Sequence, residues 1–519
     1  MAQERTEEEV NRISISFLLT YTDPQNSTIY EYFHSYPSND ENDTEPRDHD
    51  NVDPESTTDE PHLNSEAYLA SWNRENIKEG FSLDFLFEPD LGDKENWAYT
   101  PEYTETIIPP SIFLHTSVPG GELELETRMA EIASALLHSA ARDHLTEDTF
   151  FLSDSIQTIF HSNNVKRFTH LYFDHWHRHC PILHRRAFDP SRTFVPLLAV
   201  VMLFGALYSS AEMASAARDC FDVAESYIFA HEEFRKLVYP VSQDRKAPSS
   251  SIAPLQAAFI ISILQQWEHR GDSGRRIRHG RYGDIVAAAR HLGLPKLRHN
   301  PEMIFDIPSE DQQWVSFIRT EEGIRLMNWI FLVDSSHAIF HKTPPRLTIA
   351  EMTGNLPCAE ELFTAPNYDS LPSQEWLASF SKLPSLARGI SLLMNEGWAE
   401  RDMAEFGQLS YLDLFILIGA LHDIIFTTHT ACALDFADQA LKRALERWRL
   451  LWDVYTNVES PPRTKPLGFY RNASEYWYLA KLYLDVGMPR IKDPSGEDVD
   501  VDSMESVNAF IKRFAGLTV

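Results

Sequence analysis

The sequence predicts an all-α protein, in which a large multi-helix domain follows a disordered acidic tail. Apolar residues recur at helical spacing through most of the chain after residue 122, whereas alternating runs bounded by Asn-Gly or Asp-Gly turns do not occur. Acidic residues concentrate at the other end, because residues 1–100 contain 24 Asp and Glu against 6 Lys and Arg. We place the tail at residues 1–122 and the helical domain at residues 123–519.

Most of the tail is too polar to fold by itself. Residues 36–76 are rich in Asn, Ser, Thr, Pro and Asp, a composition that buries too little apolar surface to offset the entropy of ordering. We expect disorder there and weak order over most of residues 77–122. Residues 13–33 are more apolar and predict a short helix or two.

A second apolar island, residues 81–91, has the pattern of a candidate activation segment. Its acidic residues keep the apolar side chains in water until a coactivator groove takes them in on coupled folding. A strap that docks on the helical domain's own surface has the same pattern. The apolar residues are Phe81, Leu83, Phe85, Leu86, Phe87 and Leu91.

The helical domain divides into helices at its apolar repeats, prolines and glycines. Met129, Ile132 and Leu136 recur at three- and four-residue spacing and predict a helix at 123–145. The helix at 165–180 ends before Pro181, and Gly293 ends the one at 275–293. The others are predicted at 194–210, 215–239, 252–269, 314–341, 374–398, 407–430, 432–456, 471–487 and 503–515.

Composition and motifs exclude several classes of function. A net charge of −31 argues against general nucleic-acid binding, and no apolar stretch reaches the roughly 20 residues of a membrane span. The four cysteines lie far apart, which indicates reduced thiols in an intracellular compartment. Neither Gly-x-Ser-x-Gly nor a P-loop occurs, and His231-Glu232 lacks the second His of a zincin helix. We therefore predict no catalytic residue and no cofactor in this chain.

Two polar clusters and one apolar segment each admit two interpretations. The histidines near Cys180 could bind a metal or cap a helix end, and we predict no metal site because no zinc-site spacing is met. Arg270–Arg281 could cradle a phosphate, but we favour a solvated loop that leads into the helix at 275–293 and whose arginines pair with carboxylates. Asp413, His422 and Asp423 could line a ligand pocket, but we favour a core helix. The histidines are His170, His175, His177, His179 and His184.

Four segments in order resemble the regulatory domain of fungal-specific transcription factors, the middle homology region. They are residues 172–208, 255–266, 284–294 and 321–357, within a signature region of about 165–360. The sequence around Pro344 is most similar to that of members that carry Cys₂His₂ zinc fingers. The residues that carry the resemblance include Tyr172, Phe173, Pro181, His184, Phe188, Gly205, Arg325, Trp329, Asp334, Pro344 and Pro345.

The resemblance implies a nuclear regulator of RNA polymerase II transcription that is not an enzyme. Implied partners are coactivators or other proteins, a second copy of the chain and a small-molecule effector, without a membrane. No cysteine precedes Cys180, so we expect zinc and DNA contact only in an upstream module absent from this sequence. The alternative is a helical ligand-binding or scaffold protein that has lost DNA contact and acts through protein partners.

Overall fold

The structure is a computed structural model in which the described residues are helices and their connections, without a strand. This finding confirms the all-α prediction. The expected disorder of 36–76, the expected weak order of 77–120 and the segment Phe81–Leu91 lie outside the described residues. Those described are 15–23, 121–143, 149–240, 251–267, 271–301, 304, 306–368, 384–457, 468–489 and 504–514.

The first half of the molecule is an array of mostly short helices. Two of its connections are single π-helical turns, Tyr172–Trp176 and Ile277–Arg281. The helices are α1 (Ser16–Tyr21), α2 (Gly121–Asp143), α3 (Thr149–Ile159), α4 (Ser162–Leu171), α5 (Val195–Leu207), α6 (Ala211–Asp219), α7 (Phe221–Ala230), α8 (Glu232–Val238), α9 (Ala253–Trp267), α10 (Gly271–Arg276) and α11 (Tyr282–His291).

The second half contains three of the four longest described helices, the fourth being α2. They are α12, α16 and α17, and α16 packs against α12, α17 and α18. The helices are α12 (Glu310–His341), α13 (Glu360–Phe363), α14 (Leu386–Met394), α15 (Glu400–Ala404), α16 (Tyr411–Thr430), α17 (Leu434–Asn457), α18 (Ala473–Asp485) and α19 (Glu505–Phe514), with 3-10 turns at His177–His179, Leu294–Lys296, Ile349–Glu351 and Phe469–Asn472.

Two apolar helices form the centre of the two halves. Every residue of α5 from Pro196 to Leu207 is buried, and Pro196 lies in the first turn, where its missing N–H leaves no bond unmade. Within the described ranges, α16 is the one helix long and apolar enough to cross a membrane. Its most apolar window is 78% buried inside the protein, as in the core helix of a globular domain.

Close approach of α4 and α5 depends on Gly205. A Cβ built at this position would lie 1.9 Å from the Phe168 carbonyl oxygen, so only glycine allows the two backbones this near to each other. The signature glycine of the sequence is therefore a packing residue between helices.

Several predicted helix boundaries are wrong for local reasons. The single helix predicted at 215–239 is three helices, because the extended backbone of His231 ends α7 while its Nδ1 accepts from Glu233 N at the start of α8. In the predicted helix 407–430, Ser410 and Asp413 form a capping box, so α16 begins at 411 and residues 407–410 precede it. Of 374–398, residues 386–394 are helical and 374–383 lie outside the described residues. Gly293, at a φ of 72°, ends α11 as predicted.

Helix α1 belongs by packing to the helical domain, although the sequence assigns it to the tail. The helix predicted within residues 13–33 is confirmed at Ser16–Tyr21. Phe17 and Leu18 are buried, and their backbone N–H groups donate to the Glu475 carboxylate at 3.3 and 2.8 Å. Asn508 on α19 donates to the Leu19 carbonyl oxygen at 3.0 Å. Helix α1 is thus hydrogen-bonded to both α18 and α19, the last two described helices.

Candidate functional site

A cavity of about 70 Å³ lies where the two halves of the molecule meet. Its walls come from α1, the π-turn before Cys180, α9, α12, α16 and the Phe469–Tyr476 region. Most of its surface is apolar, and seven aromatic side chains supply much of it: Tyr21, Trp176, Trp267, Trp329, Phe415, Phe469 and Tyr476.

The aromatic rings support one another around the cavity. Trp176 meets Trp267 edge-on, with ring centroids 4.6 Å apart, and Trp267 meets Phe469 in the same way at 5.1 Å. On the opposite side, Tyr476 meets Phe415 edge-on at 5.1 Å. Such geometry is favourable for aromatic pairs and fixes each ring's orientation. The cavity therefore has rigid, flat walls.

The π-turn explains how Trp176 reaches the cavity. A π-turn adds one residue to a helical turn and redirects the side chains after it. Trp176, the last residue of this turn, is buried and stacks on Phe204 of α5 at 4.3 Å. One face of its ring is thereby held by the core of the first half.

Three polar groups of residues that line the cavity have hydrogen-bonding capacity to spare. The indole nitrogen of Trp329 is buried and has no hydrogen-bond partner. Neither the Tyr21 nor the Tyr476 hydroxyl makes a hydrogen bond to another described residue. Burial raises the pKa of Tyr21 to about 12, against the opposing charge of Arg278, so its hydroxyl stays protonated. Both tyrosines can therefore donate and accept.

Glu475 anchors the wall that α1 supplies. Burial raises the pKa of Glu475 to about 7, although the two backbone N–H groups of α1 that it binds oppose this shift. Phe17 packs at 6.2 Å from Tyr476 and at 6.3 Å from Phe469, ring centroid to ring centroid. The segment that carries Tyr21 thus rests on the same aromatic residues that line the cavity.

The signature residue Arg325 is the centre of a buried ion network. Its guanidinium donates to Glu321, Glu360 and the Cys358 carbonyl oxygen at 2.8, 2.8 and 2.9 Å. Burial alone would raise the pKa of Glu321, but His299 and Arg325 outweigh that effect and hold it below its ordinary value. Buried charges are tolerated only when paired in this way. The network fixes the chain after α12 against that helix.

The signature residue Asp334 closes the proline link after α12. Its carboxylate accepts from the backbone N–H groups of Arg346 and Leu347, both at 2.7 Å. Burial raises the pKa of Asp334 to about 6, opposed by these two donors. Pro344 is exposed and Pro345 half-buried in the link. These residues serve the architecture.

The remaining signature residues are packing residues of the first half. Tyr172 and Phe173 are buried in the π-turn, and Phe173 meets Phe188 edge-on at 5.5 Å. His184 accepts from Ala187 N at 3.1 Å through Nδ1. Pro181 is buried. Among the signature residues, Trp329 is the one that lines the cavity.

The histidines near Cys180 point to separate partners. The His177 ring donates to the Leu183 carbonyl oxygen at 2.5 Å, whereas His175 stacks on Tyr208 at 4.9 Å. Burial lowers the pKa of His177 to about 4 and that of His179 to about 3. Within the described ranges, no group of three or more His, Cys, Asp or Glu residues is placed to hold a metal ion.

The basic stretch is helical from Gly271, so the solvated loop predicted to lead into the helix at 275–293 is wrong over residues 271–274. Its arginines do pair with carboxylates. Arg276 lies 2.7 Å from Glu225 and 2.6 Å from Asp222, and Arg281 lies 3.0 Å from Glu225. Glu225 is buried in α7, which explains why two arginines converge on it.

Asp413, His422 and Asp423 are all buried on α16. His422 donates to the Tyr476 carbonyl oxygen at 2.8 Å, and burial lowers its pKa to about 4. Asp423 accepts from Ser335 Oγ at 2.8 Å. Ser335 lines the cavity, so Asp423 supports the cavity wall from behind.

Sequence reasoning missed most of the cavity. Tyr21, Trp267, Phe469 and Tyr476 come from segments as far apart as α1 and α18, and each looks like an ordinary core residue in its own segment. The signal in the sequence was that several separate helical segments carry tryptophans, but this pattern does not show which rings contact one another.

The described residues form a large all-α domain in which most of the signature residues are buried. The family model for the fungal specific transcription factor domain matches residues 169–450, and the chain belongs to this family.

Three fungal relatives illustrate the similarity. Transcription factor verF of Penicillium polonicum is 30% identical over 363 residues, which are 64% of this chain and 48% of verF. Zinc finger protein zas1 of Schizosaccharomyces pombe is 21% identical over 235 residues, 44% and 24% of the two chains. The nicotinate catabolism cluster-specific transcription factor of Emericella nidulans is 21% identical over 215 residues, 41% and 23%. The match covers half or less of each relative. No solved structure matches the chain.

Proposed function

We propose that this chain regulates transcription by RNA polymerase II in the nucleus, with the helical domain as its control module. The observation that carries the proposal is the family match over residues 169–450, joined by relatives that are named as transcription factors. The helical domain modulates the output through inhibition, dimerisation or an effector, and the acidic segment at 81–91 recruits coactivators. No residue of the chain performs catalysis.

In this proposal, zinc and sequence-specific DNA contact belong to a module outside the present sequence. The name of the zas1 relative refers to a zinc finger, which supports this division. The net charge of −31 supports it too, because DNA-binding surfaces need clustered Lys and Arg to neutralise phosphates. The helical domain and tail then work through protein partners at a promoter selected elsewhere.

A reporter assay tests the proposal. The whole chain is fused to an unrelated DNA-binding module in a fungal host that carries a reporter with measurable basal expression. We expect reporter output to change several-fold, and any activation to fall when Phe81, Phe85 and Phe87 are replaced by serine. Replacing Asn39, Asn42 and Thr44 by serine in the polar part of the tail is the matched control. A fusion protein that is present at the promoter but leaves the reporter at its basal level would contradict the proposal.

A further inference from the structure

We propose that the aromatic cavity binds a compact phenol-like molecule, one aromatic ring with a hydroxyl group, and that Tyr21 moves aside to admit it. Its regulatory meaning rests on the proposed function, whereas binding itself is measured on the purified chain. If the purified chain fails to bind the probe, the reporter result is unaffected. If the reporter assay fails, the binding result is likewise unaffected.

The walls select the ring. Flat faces and edges of three tryptophans, Phe469 and Tyr476 surround the space, and they favour offset or edge-on contact with another aromatic ring over a branched aliphatic group. No charged side chain lines the cavity, so an ion would lose its hydration without compensation. The ligand is therefore neutral, planar and mainly apolar.

The spare polar groups select the hydroxyl. A buried donor such as the Trp329 N–H is normally paired, and leaving it unpaired costs free energy that a ligand oxygen can restore. Tyr476 carries a hydroxyl that can donate or accept and that stays in the wall when Tyr21 moves aside. One hydroxyl group on the ligand can accept from Trp329 and bond to Tyr476.

Size shows that the cavity must open. A dry cavity of about 150 Å³ accommodates benzene, and this one holds about 70 Å³. Trp176, Trp329 and Tyr476 are buried in the core, whereas Tyr21 is half-buried at the end of the six-residue helix α1. Opening the cavity at this residue moves the Tyr21 ring away from Phe340 and Phe17, whose ring centroids lie 4.8 and 5.5 Å from its own. The ligand and the docked position of α1 then compete.

Titration of the full chain with 4-fluorophenol, observed by ¹⁹F NMR, tests the site. We expect saturable binding with a Kd of about 0.1–1 mM, typical of a one-ring ligand. Fluorobenzene, which lacks the hydroxyl, should bind roughly 3- to 10-fold more weakly. Absence of saturable 4-fluorophenol binding to the native chain overturns the proposal, and equal binding of the two probes overturns its polar part.

Variants locate the probe. Tyr476→Phe and Trp329→Phe each keep a ring and should weaken 4-fluorophenol binding roughly 3- to 10-fold. Tyr478→Phe is the matched control, because the Tyr478 hydroxyl on the same helix donates to the Phe514 carbonyl oxygen instead, at 2.8 Å. Ser336→Phe fills the cavity and should abolish binding in a chain whose melting remains cooperative. If all these variants bind as the native chain does, the probe is bound elsewhere and the proposal is wrong.

The role of Tyr21 has its own readout. Tyr21→Ala should bind 4-fluorophenol more tightly, by about tenfold, because the ring no longer has to be displaced. In the native chain, saturating probe should speed amide hydrogen exchange at Phe17 and Leu18, whose N–H groups bind Glu475. Unchanged exchange together with unchanged affinity in Tyr21→Ala would show that Tyr21 is not the gate.

Discussion

At the scale of single residues, Gly205 sets the distance between α4 and α5. We expect Gly205→Ala to reduce the free energy of unfolding by about 2–4 kcal/mol, because the added methyl group overlaps the Phe168 carbonyl and forces the helices apart. Urea unfolding followed by tryptophan fluorescence measures the change. Gly283→Ala is the matched control: a Cβ there meets nothing within 4 Å, so the stability should stay equal or rise by up to about 1 kcal/mol. Equal effects of the two substitutions would contradict the close approach.

Asp413 links stability to pH. Oδ2 accepts from Ser410 N at 2.7 Å, while Oδ1 is buried without a partner. Burial raises the pKa of Asp413 from 3.8 to about 7 in the folded protein, against the opposing Ser410 hydrogen bonds. The folded state therefore binds the proton more tightly than the unfolded state, and stability falls as pH rises between these two values.

We expect Asp413→Asn to flatten this fall, because asparagine still accepts from Ser410 but carries no charge. Between about pH 5.5 and about pH 8 the native chain should lose about 2 kcal/mol more than the variant, which is 1.4 kcal/mol for each pH unit up to the folded pKa. Parallel urea titrations at the two pH values give the difference. Glu322 and Glu475, with pKa values raised by burial to about 7, leave a residual slope in both proteins. The control is Asp435→Asn, on an exposed residue, which should leave the slope of stability against pH equal to that of the native chain. If Asp413→Asn also leaves this slope unchanged, the assignment to Asp413 is wrong.

At the scale of elements, the turn between α16 and α17 contains a strained residue. Cys432 is exposed and has a φ of 54°, a conformation that a residue with a Cβ rarely adopts. We expect Cys432→Gly to raise the free energy of unfolding by about 0.5–1 kcal/mol by removing this strain. Thermal melting of the variant gives the measurement. Cys432→Ala keeps the Cβ and loses the thiol, so a gain with alanine as large as with glycine would place the effect in the thiol.

Helices could be predicted from the sequence more readily than their ends and their neighbours. The apolar run of α5 and the glycine that ends α11 can both be recognised from the residues next to them in the sequence. The breaks at Cys220 and His231 do not, because short helices there are stabilised by their packing on α5 and α9. The cavity required knowing that Tyr21 and Tyr476 line the same space, although they are 455 positions apart in the sequence. Periodicity gives the face of a helix that is buried, but not the partner that buries it.

At the scale of the whole molecule, α1 ties one end of the described chain to the other. We expect Leu18→Ala to lower the free energy of global unfolding by about 2–4 kcal/mol, because Leu18 is fully buried against helices of the C-terminal region. Urea unfolding observed through the cavity tryptophans should remain a single transition. Leu123→Ala, on an exposed leucine, should cost less than about 0.5 kcal/mol. A Leu18→Ala chain that loses α1 at low urea and unfolds at the native midpoint would show that α1 docks independently.

The packing of α1, Phe469 and α18 also bears on how family members are best produced. A fragment trimmed to the matched interval, 169–450, would keep Trp176, Trp267 and Trp329 but discard the rings that cover them. It would then expose a contiguous aromatic patch to water, and such hydrophobic patches promote aggregation in expression hosts. We therefore expect the 169–450 fragment of this chain to form inclusion bodies, and a fragment for expression should retain the short hydrophobic stretch on the amino-terminal side together with the last helices.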